Sequence, residues 1–157
     1  MPRDWYMARA GLTPDALLDA LEQEASVLGN PATPLDRSSI FAEYTGLYQQ
    51  SLHELREVEA VANLARSWHG KVPMAVASNG RRANVESSLR VTGLLPLFDL
   101  IVAAEDVAKG KPEPDVFLEA ARRMHVDPSA CVVLEDSDEG MTAAHAANMR
   151  AIDIRLA

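Results

Sequence analysis

Polar residues that could do chemistry follow three of the short apolar runs in the second half of the chain. Ser78 and Asn79 follow the first run, Lys111 follows the second, and Glu135 and Asp136 follow the third. A hydroxyl near a helix N-terminus suits a bound phosphate, because free backbone N–H groups point to the same place. A lysine can neutralise a phosphate and a neighbouring carboxylate, and paired carboxylates suit Mg²⁺.

Each of these groups also has an ordinary structural explanation. A serine before a helix is commonly its N-cap, and most lysines are solvated surface residues. The two adjacent acids could form an acidic turn in which Ser137 or Asp138 caps the next helix. Gly110 and the prolines that follow it stiffen the loop carrying Lys111, which favours a lysine held in a fixed direction.

The apolar runs themselves predict buried strands. Four such runs occur, at Met74–Ala77, Leu100–Ala103, Cys131–Leu134 and Ala151–Ile154. Short, continuously apolar runs are typical of parallel strands buried on both faces. Helical segments at about residues 81–91, 115–124 and 139–147 separate them. The alternation predicts an α/β fold with a doubly wound parallel sheet, whose ligands bind at the carboxyl ends of the strands.

The first part of the chain has helical signals only. Thr13 is a predicted N-cap, Pro14 stands at the first helical position, and leucines then recur at spacings of three and four. A second helical stretch begins near Asp36, extends to about Trp68 and is predicted to break once. We therefore divide the chain into a helical subdomain, residues 1–69, and an α/β core, residues 70–157.

Composition excludes several classes of function. The chain has 157 residues and a formal net charge of −8, which argues against a general nucleic-acid binder. No stretch approaches the ~18 apolar residues that a membrane span needs. The single cysteine, Cys131, is predicted to be a buried strand residue in a reducing compartment. We expect a cytoplasmic protein.

Together, a hydroxyl, a lysine and paired acids after successive strands resemble the second, third and fourth motifs of the haloacid dehalogenase-like hydrolases. The resemblance covers nearly all of residues 72–156, including Lys-Pro-Glu-Pro-Asp-Val-Phe at 111–117 and Val-Leu-Glu-Asp-Ser at 133–137. These forms are similar to the subgroup of sugar-phosphate phosphatases and β-phosphoglucomutases. Residues 1–69 look like most of that subgroup's helical cap, and Arg9 stands in a segment similar to the substrate-selecting loop.

The resemblance implies a Mg²⁺-dependent phosphatase acting on a sugar phosphate or a similar small phosphorylated metabolite. Ser78 and Asn79 would bind the transferring phosphate, Lys111 would balance its charge, and Glu135 with Asp136 would bind Mg²⁺. By the same resemblance Arg9 would contact the substrate, although an arginine before a helix is more often solvated.

The family's first motif, Asp-x-Asp-Gly-Thr at the end of the first strand, does not occur in this sequence. In the family its first aspartate attacks phosphorus and its second is the general acid and base. Asp136 and Asp138 have the same spacing, but too few residues follow them to hold a cap and three later motifs. We predict that this chain alone is inactive and that its sheet lacks the central strand, which the family places between the runs at 74–77 and 131–134.

Two other functions remain open on the sequence. The chain could belong to a β-phosphoglucomutase-like phosphotransferase, because the motifs are shared. It could also be a non-catalytic remnant that binds phosphate, or one that completes its sheet with a protein partner. His125 and Asn148 favour the remnant, since the family usually has glycine at both places, where φ is often positive. None of the four histidines is predicted to bind a metal.

Overall fold

A computed structural model describes residues 12–27 and 35–156 of the chain. Six helices and four short strands lie in these residues. In chain order they are α1 (Pro14–Val27), α2 (Arg37–Ser51), α3 (Glu59–Trp68), β1 (Ala75–Ala77), α4 (Arg82–Val91), β2 (Leu100–Val102), α5 (Asp115–Met124), β3 (Val132–Glu135), α6 (Asp138–Ala146) and β4 (Arg150–Asp153). Single 3₁₀ turns lie at Leu52–Glu54, Leu95–Leu97, Ala104–Asp106, Pro128–Ala130 and Ile154–Leu156.

Helix α1 begins as the sequence predicts. Its Ala16 N–H donates to Thr13 Oγ1 at 3.2 Å, and Pro14 is its first residue. Leu18 is the buried residue of its apolar face. The cap, the proline and the apolar spacing therefore act together, because the cap satisfies a free N–H group while the apolar face packs.

The second helical stretch breaks once, which confirms the prediction. Helix α2 is capped by Asp36, whose Oδ1 accepts from Ser39 N–H at 3.1 Å, and it ends in the 3₁₀ turn at Leu52–Glu54. Helix α3 follows after an extended segment. Arg37, at the start of α2, binds the carboxylates of Asp19 at 2.5 Å and Glu22 at 2.6 Å, so α1 and α2 are joined by ion pairs.

Strands and helices alternate after residue 70, and their ends agree with the predicted ones within one residue. Strand β1 pairs in parallel with β2, with Val76 opposite Ile101, and β3 pairs in parallel with β4, with Val133 opposite Ala151. The predicted α/β class and the parallel pairing are confirmed. The division into residues 1–69 and 70–157 stays a prediction.

The four strands form two separate pairs within the described residues. The family resemblance places a central strand between β1 and β3, which belong to different pairs here. Both pairs nevertheless border one apolar core, whose buried members include Val102 in the first pair, Val133 in the second, and Val116 and Phe117 on α5. Helix α5 packs against β1 and β2, while α6 packs against β3 and β4.

Three local features concern residues named above. His125 and Asn148 both adopt the left-handed conformation, each with φ of 57°, which confirms the predicted positive φ.

Cys131 was predicted to be a buried strand residue, and this is wrong. It lies one residue before β3 and is only partly buried, because the preceding 3₁₀ turn ends there. In the part of the chain that the structure describes, no helix is long and apolar enough to cross a membrane.

Candidate active site

Ser78 and Gly80 join the end of β1 to the neighbouring strand. Ser78 N–H donates to Val102 O at 2.9 Å, and Ala104 N–H donates to Gly80 O at 3.1 Å. Within the loop, Gly80 N–H donates to Ser78 Oγ at 3.0 Å. The serine therefore has a local structural role, and its hydroxyl proton can still be donated to a ligand beyond the strand end.

Asn79 and Lys111 are joined by two hydrogen bonds that run in opposite directions. Lys111 N–H donates to Asn79 Oδ1 at 2.8 Å, and Asn79 Nδ2 donates to Lys111 O at 3.0 Å. Asn79 is buried, with 8% of its surface exposed. The loops after β1 and β2 are therefore joined through one side chain and one backbone.

Lys111 and Glu135 form a buried ion pair. Lys111 Nζ lies 2.7 Å from Glu135 Oε2, and the two side chains are 11% and 6% exposed. Lys111 Nζ also lies 4.8 Å from the centre of the Phe117 ring, a favourable position for a cation over an aromatic face. The loops after β2 and β3 therefore meet at the lysine side chain.

The second oxygen of Glu135 accepts hydrogen bonds from its own turn. Oε1 accepts from Asp136 N–H at 3.1 Å, Ser137 N–H at 3.0 Å and Ser137 Oγ at 2.8 Å. Burial raises the pKa of Glu135, but the charge and hydrogen bond of Lys111 and the bonds from Ser137 and Asp136 outweigh it, so the pKa lies below the ordinary value of 4.5. Glu135 is therefore ionised at neutral pH.

Asp136 has a different environment from its neighbour. The residue is exposed. Desolvation of its carboxyl, a hydrogen bond with Glu135 and the negative charge of Glu135 raise the pKa of Asp136 above its ordinary value. The pKa values of the two adjacent carboxyl groups are therefore shifted in opposite directions, which is common where carboxyl groups share a functional site.

Sequence reasoning missed Gly140 as part of the site. Gly140 lies in the first turn of α6, and a Cβ there would overlap the Glu135 carboxyl group. Its N–H donates to Ser137 Oγ at 3.0 Å, so Ser137 is the N-cap of α6 and also donates to Glu135. The capping explanation and the functional explanation of this turn are therefore compatible. The available signal was a glycine three residues after a predicted cap.

A second group that sequence reasoning missed surrounds Asp106. Its carboxylate accepts from Ala103 N–H at 2.7 Å, from Arg123 at 3.1 Å and from Arg82. Burial raises the pKa of Asp106, but these bonds and charges lower it more, so it lies below the ordinary value. The group joins the start of α4 to α5 next to the Ser78 loop. Its members are far apart in sequence, so no spacing indicated it.

Most predicted site residues come together in the structure. Asn79, Lys111 and Glu135 are linked by direct bonds, and Ser78 and Asp136 are their chain neighbours. Arg9 lies outside the described residues. Thr13 does reach the site, because a side chain at Gly110 would overlap Thr13 Cγ2 as well as Asn79 Oδ1. The start of α1 therefore lies against the lysine loop.

The described residues fit a Mg²⁺ ion in part. They hold no group of three or more His, Cys, Asp or Glu side chains arranged for a metal. Mg²⁺ needs only one or two protein carboxylates, since phosphate and water supply its other ligands. Asp136 suits that role because it is an exposed residue that carries a carboxyl group directly after the end of β3. Glu135 could contribute only through Oε2, because Oε1 already accepts three bonds.

The chain is similar to known proteins in sequence and in fold. A family model described as "Haloacid dehalogenase-like hydrolase" matches residues 6–154. The chain is 43% identical over 122 residues to the fructose-1-phosphate phosphatase YqaB of Escherichia coli (strain K12), covering 78% of this chain and 65% of the relative. The structure of CbbY from Rhodobacter sphaeroides in complex with phosphate has a TM-score of 0.71 and 32% identity, covering 78% of this chain and 57% of that one.

A further solved structure is similar in fold alone. The β-phosphoglucomutase of Clostridium difficile has a TM-score of 0.77 at 20% identity, covering 98% of this chain and 69% of its own. Because the family model matches most of the sequence, the chain belongs to the haloacid dehalogenase-like hydrolase family. Its alignments cover 65%, 36% and 62% of the first three curated relatives, so the chain spans less than two thirds of their lengths.

Proposed function

We propose that this chain is the phosphate- and metal-binding part of a phosphatase that acts on a sugar phosphate or a similar small phosphorylated metabolite. The observation that carries the proposal is the buried Lys111–Glu135 ion pair at the carboxyl ends of parallel strands, with Lys111 joined through Asn79 to the loop that begins at Ser78. The Lys111 side chain is buried, and its Nζ lies 2.7 Å from Glu135 Oε2. Its positive charge is therefore held in place, which suits a phosphate dianion better than a mobile surface lysine would. The similarity to a fructose-1-phosphate phosphatase supports a sugar phosphate.

The chain's own residues would bind and orient the transferring phosphate. The Ser78 hydroxyl and nearby backbone N–H groups would donate to its oxygens, and Lys111 would neutralise its charge. Glu135 would keep the lysine charged and in place. Asp136, with Glu135 Oε2, would bind Mg²⁺, which when bound supplies further charge neutralisation and orients the phosphate.

The nucleophile would come from a segment outside this sequence. A carboxylate oxygen of that segment's first aspartate would attack phosphorus as the bond to the leaving alcohol breaks, and the second aspartate would protonate that alcohol. Water would then hydrolyse the aspartyl-phosphate and release inorganic phosphate. The same segment would supply the strand that joins β1 to β3. The comparisons give no support to a separate protein partner for this purpose.

Phosphate release from a panel of sugar phosphates tests this function. We expect no turnover by this chain, and turnover by a version extended upstream with an Asp-x-Asp-Gly-Thr strand. The activity should require Mg²⁺ and fall at least ~10-fold in Asp136→Asn, because a ligand is lost. The matched control, Asp138→Asn, alters an exposed acid bound to Arg155 and should remain active. Turnover by the short chain would refute the proposed source of the nucleophile, and silence from both versions would favour a remnant.

A further inference from the structure

The side-chain amide of Asn79 forms a pair of hydrogen bonds with the backbone of Lys111 that requires the donor and acceptor of an asparagine. It accepts from the N–H group of Lys111 and donates to the C=O group of the same residue, at 2.8 and 3.0 Å. A side chain that does both needs one donor and one acceptor side by side at the correct distance. Aspartate has no donor when ionised, serine is too short, and glutamine carries its amide one carbon further away.

The backbone at Gly110 approaches this amide closely. A Cβ on Gly110, the residue before Lys111, would overlap Asn79 Oδ1. Asn79 is 8% exposed, so its amide is largely removed from water, where each bond it makes is worth more than on the surface. The bridge therefore fixes the main chain of Lys111 against the loop that begins at Ser78.

Fixing this main chain also fixes where the lysine charge lies. Lys111 Nζ has two further contacts, with Glu135 Oε2 at 2.7 Å and with the Phe117 ring at 4.8 Å. A lysine side chain is a flexible chain of four carbons, so a contact at the ammonium group alone leaves the lysine backbone free to move. Lys111 is therefore held both at its backbone, by Asn79, and at its ammonium group, by Glu135.

We propose that Asn79 is a positioning residue that acts through Lys111, and that its side-chain amide is not itself a phosphate ligand. This differs from the sequence-based prediction, in which Asn79 contacts the phosphate. The identity of the bound anion rests on the proposed function, whereas the bridge between Asn79 and Lys111 does not. A displacement of about 1 Å in a catalytic group can reduce activity by about 100-fold, so loss of the bridge should lower activity even without any contact to the phosphate.

Hydrogen exchange at the Lys111 backbone amide tests the bridge without any ligand. In the full chain, Asn79→Ala should speed exchange at this N–H at least ~10-fold, because its acceptor is gone. Asn63→Ala, which alters an exposed asparagine of α3, is the matched control and should leave it unchanged. Asn79→Ser serves the same purpose should the alanine variant fail to fold. Unchanged exchange at Lys111 in a folded Asn79 variant would overturn the proposal.

A double-mutant cycle with inorganic phosphate and Mg²⁺, measured by calorimetry, separates positioning from direct contact. We expect Asn79→Ala to weaken phosphate binding about 10-fold, but less than about 2-fold when Lys111 is already methionine. If Asn79→Ala lowers the affinity for phosphate just as much in the Lys111→Met background, the Asn79 amide contacts the phosphate directly and the proposal is overturned. If the unmodified chain binds no phosphate, the proposed function fails for this chain, while the exchange experiment still decides the role of Asn79.

Discussion

Replacing Lys111 by methionine should destabilise the chain strongly, because Glu135 would keep its buried charge. The pair is separated by 2.7 Å with side chains 11% and 6% exposed. At an effective dielectric constant of about 20 the two charges attract by ~6 kcal/mol, before the desolvation cost of several kcal/mol per ion. Removing one partner of a buried pair costs about 3–5 kcal/mol, and the bonds to Glu135 Oε1 place our expectation near the lower end.

The loss of folding stability in Lys111→Met should depend on pH in a defined direction. The pKa of Glu135 lies below 4.5, so its stabilising contribution is complete above that value and disappears as the pH falls through the lower folded pKa. In Lys111→Met the effect of burial is no longer offset by the ammonium group, so the pKa of Glu135 should rise. The variant should be most destabilised near about pH 7 and least below about pH 4.

Urea unfolding followed by circular dichroism, with a chelator present, measures both effects. Lys109→Met is the matched control, since Lys109 is exposed and two residues away, and it should change the free energy of unfolding by less than about 0.5 kcal/mol. Adding Glu135→Gln to Lys111→Met should recover part of the loss by removing the unpaired charge. Equal effects of the two lysine variants, or a loss independent of pH, would refute the reasoning.

Three further stability predictions can be measured in the same unfolding assay. Gly140→Ala should cost about 1–3 kcal/mol, because the new methyl group would overlap the Glu135 carboxyl. Gly46→Ala in α2, where a methyl group meets nothing within 4 Å, should stabilise the chain by about 0.5–1 kcal/mol. Equal effects of the two variants would contradict this. His125→Gly should stabilise by about 1 kcal/mol because His125 has φ of 57°, and any loss would contradict the strain. Asp106→Ala should cost about 1–3 kcal/mol by removing the acceptor that Arg82, Arg123 and the Ala103 N–H group share, and a neutral result would contradict that role.

Elements with a clear local pattern could be predicted from the sequence. The start of α1 follows from Thr13 and Pro14, and the strand at Val132–Glu135 follows from a continuous apolar run. The convergence of Lys111 and Glu135 was predictable too, because the carboxyl ends of parallel strands meet at one edge of a sheet. The absence of a central strand from this chain stays a prediction.

Features that depend on how loops meet could not be predicted. The bridge from Asn79 to Lys111 joins residues 32 positions apart, and no spacing indicates which way an amide points. The bonds of Asp106 combine loops and helices in the same way. Cys131 was misplaced because an apolar run gives its centre better than its ends, and the turn at Pro128–Ala130 ends only at this residue.

The most direct test of the central claim compares phosphate release by two lysine variants of the upstream-extended chain, with a sugar phosphate and Mg²⁺. Lys111→Met should lower kcat/KM at least ~100-fold, because it removes the charge that stabilises the transferring phosphate. Lys109→Met should leave kcat/KM unchanged within about 2-fold, because that side chain is exposed and its charge is screened by solvent. Equal activity of the two variants would contradict the claim that the buried ion pair at Lys111 forms the phosphate site.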